Sequence, residues 1–288
     1  MNKARTGKIG FQGARGANSE IASREVFPNM EAVPCDTFED VFNALAARSI
    51  DLAMIPIENT LAGRVADIHH LLPASGTFII GEHFLPIHFD LMVLPGVKLD
   101  EIKTVHSHIH ALGQCRKIIR KHRWKAAVAG DTAGAARVVR DEGDRTWAAL
   151  APRLASKLYG LDIAAENVED ADNNITRFVV LSKEKSWAPR QDDRLMMTTF
   201  VFRVHNIPAA LYKAMGGFAT NGVNMTKLES YQLGGKFFST QFYADIEGHP
   251  DDKNAAQALK ELNFFSREVR ILGVYDAHPF RVAQGEDD

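Results

Sequence analysis

The chain reads as an α/β protein built from more than one folded unit, and three observations lead there. Through residues 8–181 short apolar runs alternate with amphipathic stretches, the pattern of parallel strands joined by crossover helices. Residues 182–194 then carry dense charge, a proline and no periodicity, as a linker does. Beyond them strand and helix patterns follow in the order βαββαβ, the ferredoxin-like arrangement. At 288 residues the chain is long enough for two or three compact units, each with its own core.

The elements follow in order. Lys8 to Phe11 reads as a strand, and the Gly-bearing turn Gly13 to Ser19 leads into a helix toward Phe27, with Ser19 as its cap. Thr37 caps a helix whose Phe38, Val41, Phe42 and Leu45 fall on one face, and Leu52 to Ile55 is a buried strand. Further strand and helix pairs run from Val105 into Ala111 to Ile119, from Ala126 to Val128 into Thr132 to Val139, and from Trp147 to Leu150 into Pro152 to Tyr159. After the linker come a strand at Leu195 to Val204, a helix at Pro208 to Thr220 and a strand at Asn224 to Leu233. A Gly234-Gly235 hairpin turn, a strand to Ile246, a helix at Asp251 to Leu262 and a strand at Val269 to Val274 complete the set. The expected domains are therefore 1–182, a linker at 183–194, a second unit at 195–276 and a polar tail at 277–288.

Composition narrows the function. Hydrophobic residues make up 45% and charged residues 24%, an ordinary globular balance. A net charge of −2, with no basic run interleaved with aromatics, argues against a nucleic acid partner. Cys35 and Cys115 lie far apart in no Cys-x-x-Cys arrangement, which argues against a disulfide framework and a thiolate metal site. No apolar run suits a signal peptide or a membrane span, so a cytoplasmic location and no membrane partner are expected.

Four segments bring polar groups to the expected ligand crevice, three of them at the carboxyl ends of strands and one at the start of a strand. The Gly13 to Ser19 turn offers backbone N–H groups to an anion, and Glu58-Asn59-Thr60 ends a buried strand in polar groups. Ser107 and Gln114 bracket a strand-to-helix passage, and Asn173-Asn174-Ile175-Thr176-Arg177 opens a strand with a hydroxyl and a guanidinium suited to a small anionic substrate. Singly, each segment reads better as a turn or a loop. His106, His108 and His110 alternate along a strand, but the turn to helix near His110 breaks their common face, so they read as surface or capping histidines. His69 and His70 read as helix-end residues.

Taken together and in order, these segments resemble the prephenate dehydratase family. Gly13-x-x-Gly16-x-x-Ser19, Pro56 to Gly63, Ser107-His108 with Gln114-Cys115, Asp131-Thr132-Ala133, Tyr159-Gly160-Leu161 and Thr176-Arg177-Phe178 carry the resemblance over residues 8–182. It implies a two-lobed, periplasmic-binding-protein-like catalytic domain that needs no cofactor and no metal. Thr176 is then the catalytic hydroxyl; Ser19, Asn59, Thr60, Ser107 and Gln114 hold prephenate, and Arg177 clamps a carboxylate. Asn206 to Leu211 and Asn221 to Ser230 resemble an ACT regulatory domain, so the whole chain resembles the monofunctional, phenylalanine-regulated form of the enzyme. That implies L-phenylalanine as effector at Pro208, Ala209, Ala210, Leu211, Asn224, Met225, Thr226, Glu229 and Ser230, and a homodimer or homotetramer. The chain departs from the family with Ala14 and Ala17-Asn18 in the first loop, Thr60 for Ser, Ala209 for Gly and Tyr231-Gln232 for Arg-Pro. Arogenate dehydratase is the near alternative, and a solute-binding protein or an amino-acid sensor the distant ones.

Overall fold

The computed structural model describes residues 3–233 and 240–284. Gly234-Gly235, where a hairpin turn is expected, lies outside the described residues, as do Phe237 and Phe238.

Along the chain the elements are β1 (Gly7–Gln12), α1 (Asn18–Val26), β2 (Met30–Cys35), α2 (Phe38–Ala46), β3 (Leu52–Asn59), β4 (Gly63–Arg64), α3 (Ala66–Ala74), β5 (Phe78–Pro86), β6 (Asp90–Val93) and, after a single 3-10 turn, β7 (Thr104–Ser107). Next come α4 (Ile109–Gln114), α5 (Arg116–His122), β8 (Lys125–Val128), α6 (Thr132–Glu142), β9 (Trp147–Ala151), α7 (Arg153–Tyr159), β10 (Asp162–Ala165) and β11 (Ile175–Ser182). The last are β12 (Met196–Val204), α8 (Ala210–Thr220), β13 (Met225–Gln232), β14 (Thr240–Glu247), α9 (Lys253–Phe265), β15 (Ser266–Asp276) and α10 (Pro279–Gln284). Two compact units result: residues 3–65 with 84–178, and residues 66–83 with 179–233 and 240–284.

In the first unit β1 runs parallel to both β2 and β3, and β11 lies beside β3. Thr37 caps α2 through a reciprocal pair, its hydroxyl accepting from the Asp40 N–H while the Asp40 carboxylate accepts from the Thr37 N–H. The second sheet of this unit, β10-β6-β9-β7-β8, is mixed rather than parallel throughout: β7 runs parallel to β8 and β9, but β6 is antiparallel to β9 and β10 to β6. The run expected as one helix from Ala111 to Ile119 is two, because the Asp170 carboxylate accepts the N–H groups of Arg116 and Lys117 and so starts α5 afresh.

The second unit has strand order β13-β14-β12-β15, with antiparallel pairs throughout and α8 and α9 supplying the helices of a βαββαβ fold. Its core packs Phe200, Phe202, Phe218, Phe242, Ile246 and Leu262. Three corrections to the sequence boundaries arise here. Residues 66–83 belong to this unit: His69 and His70 set their rings edge-on to Tyr231, His69 also meets Tyr243, and Gly273 of β15 lies so close to Ile79 of β5 that a Cβ would overlap the Ile79 carbonyl. His69 is thus a buried residue inside α3 and not at its end. The linker is pinned, since the Ala188 N–H donates to Val274 and Arg190 pairs with Asp252. The polar tail contains α10, whose Arg281 bonds the buried Glu82.

Ala209 precedes α8 with φ of 60°, in the left-handed region that favours glycine. Ala209→Gly relieves that conformation, and denaturant unfolding is expected to show a gain of about 1 kcal/mol. An unchanged or lowered midpoint contradicts it.

Candidate active site

Asn59, the last residue of β3, begins the turn to β4 and is held from both sides. Its carbonyl Oδ1 accepts the backbone N–H groups of Leu61 (3.0 Å) and Ala62 (2.8 Å), as asparagine does in a turn. Its Nδ2 faces three acceptors on the neighbouring strand: Asn174 Oδ1 at 2.7 Å, the Ile175 carbonyl at 3.1 Å and Thr176 Oγ1 at 3.0 Å. Thr60 stitches the same two segments, donating to the Asn173 carbonyl at 2.6 Å while accepting from the Ile175 N–H at 2.9 Å. Thr176 is therefore placed by β3, and its oxygen accepts while its proton finds no acceptor among the described residues. A hydroxyl hydrogen-bonded at oxygen is a better donor for it.

Thr176 and Arg177 do not share a face. Successive strand residues point to opposite sides, so where Thr176 meets Asn59, Arg177 meets the preceding residue, Glu58. The guanidinium is only 2% exposed, and its Nη1 donates to Glu58 Oε1 at 2.9 Å. Arg177, expected as a carboxylate clamp, is thus placed against Glu58 on the side away from Asn59. Arg177 and Glu58 form an ion pair on the other side of the strand, with the guanidinium buried and the carboxylate partly exposed.

Gln114 closes α4 and lines a cleft of about 680 Å³ with Leu61, Ala62, Ile109, Arg116 and Asp170. Its backbone carbonyl accepts the Asp170 N–H at 2.6 Å, and its Oε1 accepts from Asn174 Nδ2 at 2.9 Å. Asn59, Asn174, Thr176 and Gln114 thus form one connected group. Ser107 stands apart: fully buried, its hydroxyl donates to the Leu150 carbonyl at 2.6 Å and ties β7 to the end of β9. Ser19 is buried in the first turn of α1, and Ala17, which makes no side-chain cap, holds the N-cap position expected for it.

Gly13, Ala14 and Arg15 of the first turn line a separate polar hollow of about 520 Å³ with Asp131, Arg137 and Tyr159. Gly16 has φ of 90° and presses on α7, where a Cβ would stand 2.9 Å from Ala155 Cα. The N–H of Gly16 already has its anion, since Glu20 Oε2 accepts it at 2.7 Å. Asn174, Asp170 and Arg116 are the site residues the sequence did not single out. Asn174, which directly precedes β11, entered the sequence analysis only as part of its segment.

The residues expected to hold an effector sit in the second unit. Pro208 and Ala209 are exposed ahead of α8, followed by buried Ala210 and half-buried Leu211. Asn224 is exposed, with its carbonyl accepting from the Glu247 N–H. Met225, Thr226, Glu229 and Ser230 lie on β13, which among the described residues pairs with β14 alone and alternates half-buried and exposed positions up to Ser230. Among the histidines, His106 stacks on Trp147 at 4.2 Å, and His108 Nδ1 faces the His110 N–H at the start of α4. Among the described residues no three histidine, cysteine or acidic side chains gather as a metal site.

Comparison with known proteins gives the same direction. The sequence profile described as "Prephenate dehydratase" matches residues 9–186. A Komagataeibacter europaeus protein, named as a bifunctional N-acyl-homoserine lactone acylase/prephenate dehydratase, is 48% identical over 95% of this chain and 97% of its own. An Arabidopsis thaliana arogenate dehydratase/prephenate dehydratase is 36% identical over 93% of this chain and 72% of its own. The crystal structure of an Arthrobacter aurescens prephenate dehydratase in complex with L-Phe superposes with a TM-score of 0.85 at 28% identity, covering 98% of this chain and 97% of that one.

Burial holds His106 and His108 below the ordinary histidine pKa, with His110 lowering His108 further. The unfolded chain therefore binds protons that the folded chain refuses, and stability present above pH of about 6.5 is lost as pH falls below it. Thermal melting at pH 7.5 and 5.5 checks this: the midpoint should drop on acidification and drop less in His108→Gln, and a midpoint indifferent to pH contradicts it.

Proposed function

Because the chain belongs to the prephenate dehydratase family, we propose that it converts prephenate to phenylpyruvate, carbon dioxide and water at the Asn59–Asn174–Thr176–Gln114 cluster. The observation that carries the assignment of roles is the polarity of that cluster, in which Asn59 donates to Thr176 and the threonine proton has no acceptor among the described residues. In the reaction the bond from the ring to its carboxylate breaks, and its electron pair moves through the ring as the opposite C–O bond breaks. The hydroxyl leaves with a proton as water. Aromatisation supplies the driving force. The chain must orient the substrate and offer a hydrogen bond where negative charge develops on the leaving oxygen.

Thr176 provides that hydrogen bond and relays the proton, which solvent ultimately supplies. Gln114 offers its Nε2 to an oxygen of the substrate from the cleft wall, and Arg116 places a cation beside it. Asn59 and Thr60 act by placing Thr176, and Ser19, Ser107 and Arg177 act from behind by holding the elements that form the cleft. No group in this scheme requires a cofactor. Glu58 accepts from Arg177, and the arogenate dehydratases among the relatives make arogenate the second substrate to test.

The second unit is read as an ACT domain that makes the chain a monofunctional, feedback-inhibited enzyme. Its βαββαβ order and the Arthrobacter complex with L-Phe support phenylalanine as effector, held by the loop amides before α8 and the residues of β13, in a homodimer or homotetramer. A coupling of roughly 1–3 kcal/mol between effector and substrate sites is typical of such switches. The two unpaired cysteines fit a cytoplasmic setting.

Purified protein incubated with prephenate, arogenate and an N-acyl-homoserine lactone, followed by product identification, tests the reading. Phenylpyruvate from prephenate is expected, with turnover falling on saturable binding of phenylalanine. Thr176→Ala should lower kcat by roughly 100-fold or more with a native melting temperature, the scale of one lost preorganised donor. Unchanged turnover in that variant removes Thr176 from the mechanism.

A further inference from the structure

We propose that Asn174 is a positioning residue: it sets which end of the Gln114 amide faces the cleft, so that the substrate meets a donor there and not a carbonyl. The proposal rests on the dehydratase reading and adds to it a residue that never touches substrate, since Asn174 is 2% exposed.

The orientation follows from backbone groups whose polarity is not open to choice. The N–H groups of Leu61 and Ala62 can only donate, so the Asn59 atom facing them is oxygen. Asn59 Nδ2 is then the atom turned to the Ile175 carbonyl, which can only accept, and to Asn174. Asn174 must present Oδ1 to it and Nδ2 to Gln114, 2.9 Å away. Gln114 answers with Oε1, and its Nε2, which takes no acceptor among the described residues, is left for the cleft that Gln114 lines. A carboxylate or keto oxygen of the substrate is the matching acceptor. Were Asn174 an acceptor on both sides, Gln114 would turn over and offer its carbonyl to the same oxygen.

Asn174→Asp tests this, because it keeps the shape and the acceptor toward Asn59 but replaces the donor toward Gln114 by a second oxygen. At neutral pH kcat/KM for prephenate is expected to fall by about 100-fold. As pH falls the introduced carboxyl protonates, donates to Gln114 as the amide did, and the ratio of variant to wild type climbs. A flat ratio, or wild-type activity, overturns the proposal. Asn174→Ala supplies a second route: in a Gln114→Ala background it should cost less than roughly threefold, whereas losses that multiply in full show the two residues acting independently. Wild-type enzyme measured alongside separates the two readings. If it leaves prephenate untouched, the dehydratase reading fails, and the relay is judged by hydrogen exchange of the Asn174 side-chain amide: protection that Gln114→Ala abolishes supports it, and protection unaffected by that substitution overturns it.

Discussion

Two backbone N–H groups, those of Leu61 and Ala62, set the polarity of every group bonded beyond Asn59. They claim its oxygen and turn its nitrogen toward β11, where Thr176 Oγ1 accepts it. The turn after β3 is thus part of the chemistry, although none of its backbone atoms needs to reach the substrate. Thr60 reinforces the same junction by donating across it and accepting back, so the loop and the start of β11 move as one piece. Every other donor of the junction is engaged, which holds in place the two left for the substrate, the Thr176 hydroxyl and Gln114 Nε2, as a preorganised donor requires.

The opposite face of the same strands does different work. Glu58 and Arg177 occupy the alternate positions and pair with each other, so β3 and β11 present neutral hydrogen-bonding groups on one side and a compensated charge on the other. A cation held away from the reacting face avoids stabilising the carboxylate that must depart, a ground-state interaction that would oppose decarboxylation. The first loop shows the same economy of charge: Glu20 fills the anion position at Gly16 and is itself paired with Arg24.

The α/β class and the βαββαβ order were legible because each rests on local pattern: short apolar runs, amphipathic stretches and helix caps. The roles of Asn59, Thr60, Thr176 and Gln114 came from the family resemblance of the ordered set, since each segment alone reads as a turn or a loop. What was not legible depends on partners distant in sequence. The role of Arg177 required Glu58 and the opposite faces of adjacent residues; the break at Cys115 required Asp170; the buried place of His69 required Tyr231 and Tyr243. Residues 66–83 sort with the second unit through contacts such as Gly273 to Ile79, which no local window contains.

The central claim is that Asn59 serves as a donor to β11 and an acceptor to its own turn at once. Steady-state turnover of prephenate by Asn59→Asp tests it most directly, since the carboxylate still accepts from Leu61 and Ala62 but sets an oxygen against Asn174, Ile175 and Thr176. The account predicts a loss of kcat by roughly 100-fold or more with the fold retained on circular dichroism; a folded variant with turnover near that of the wild type would contradict it.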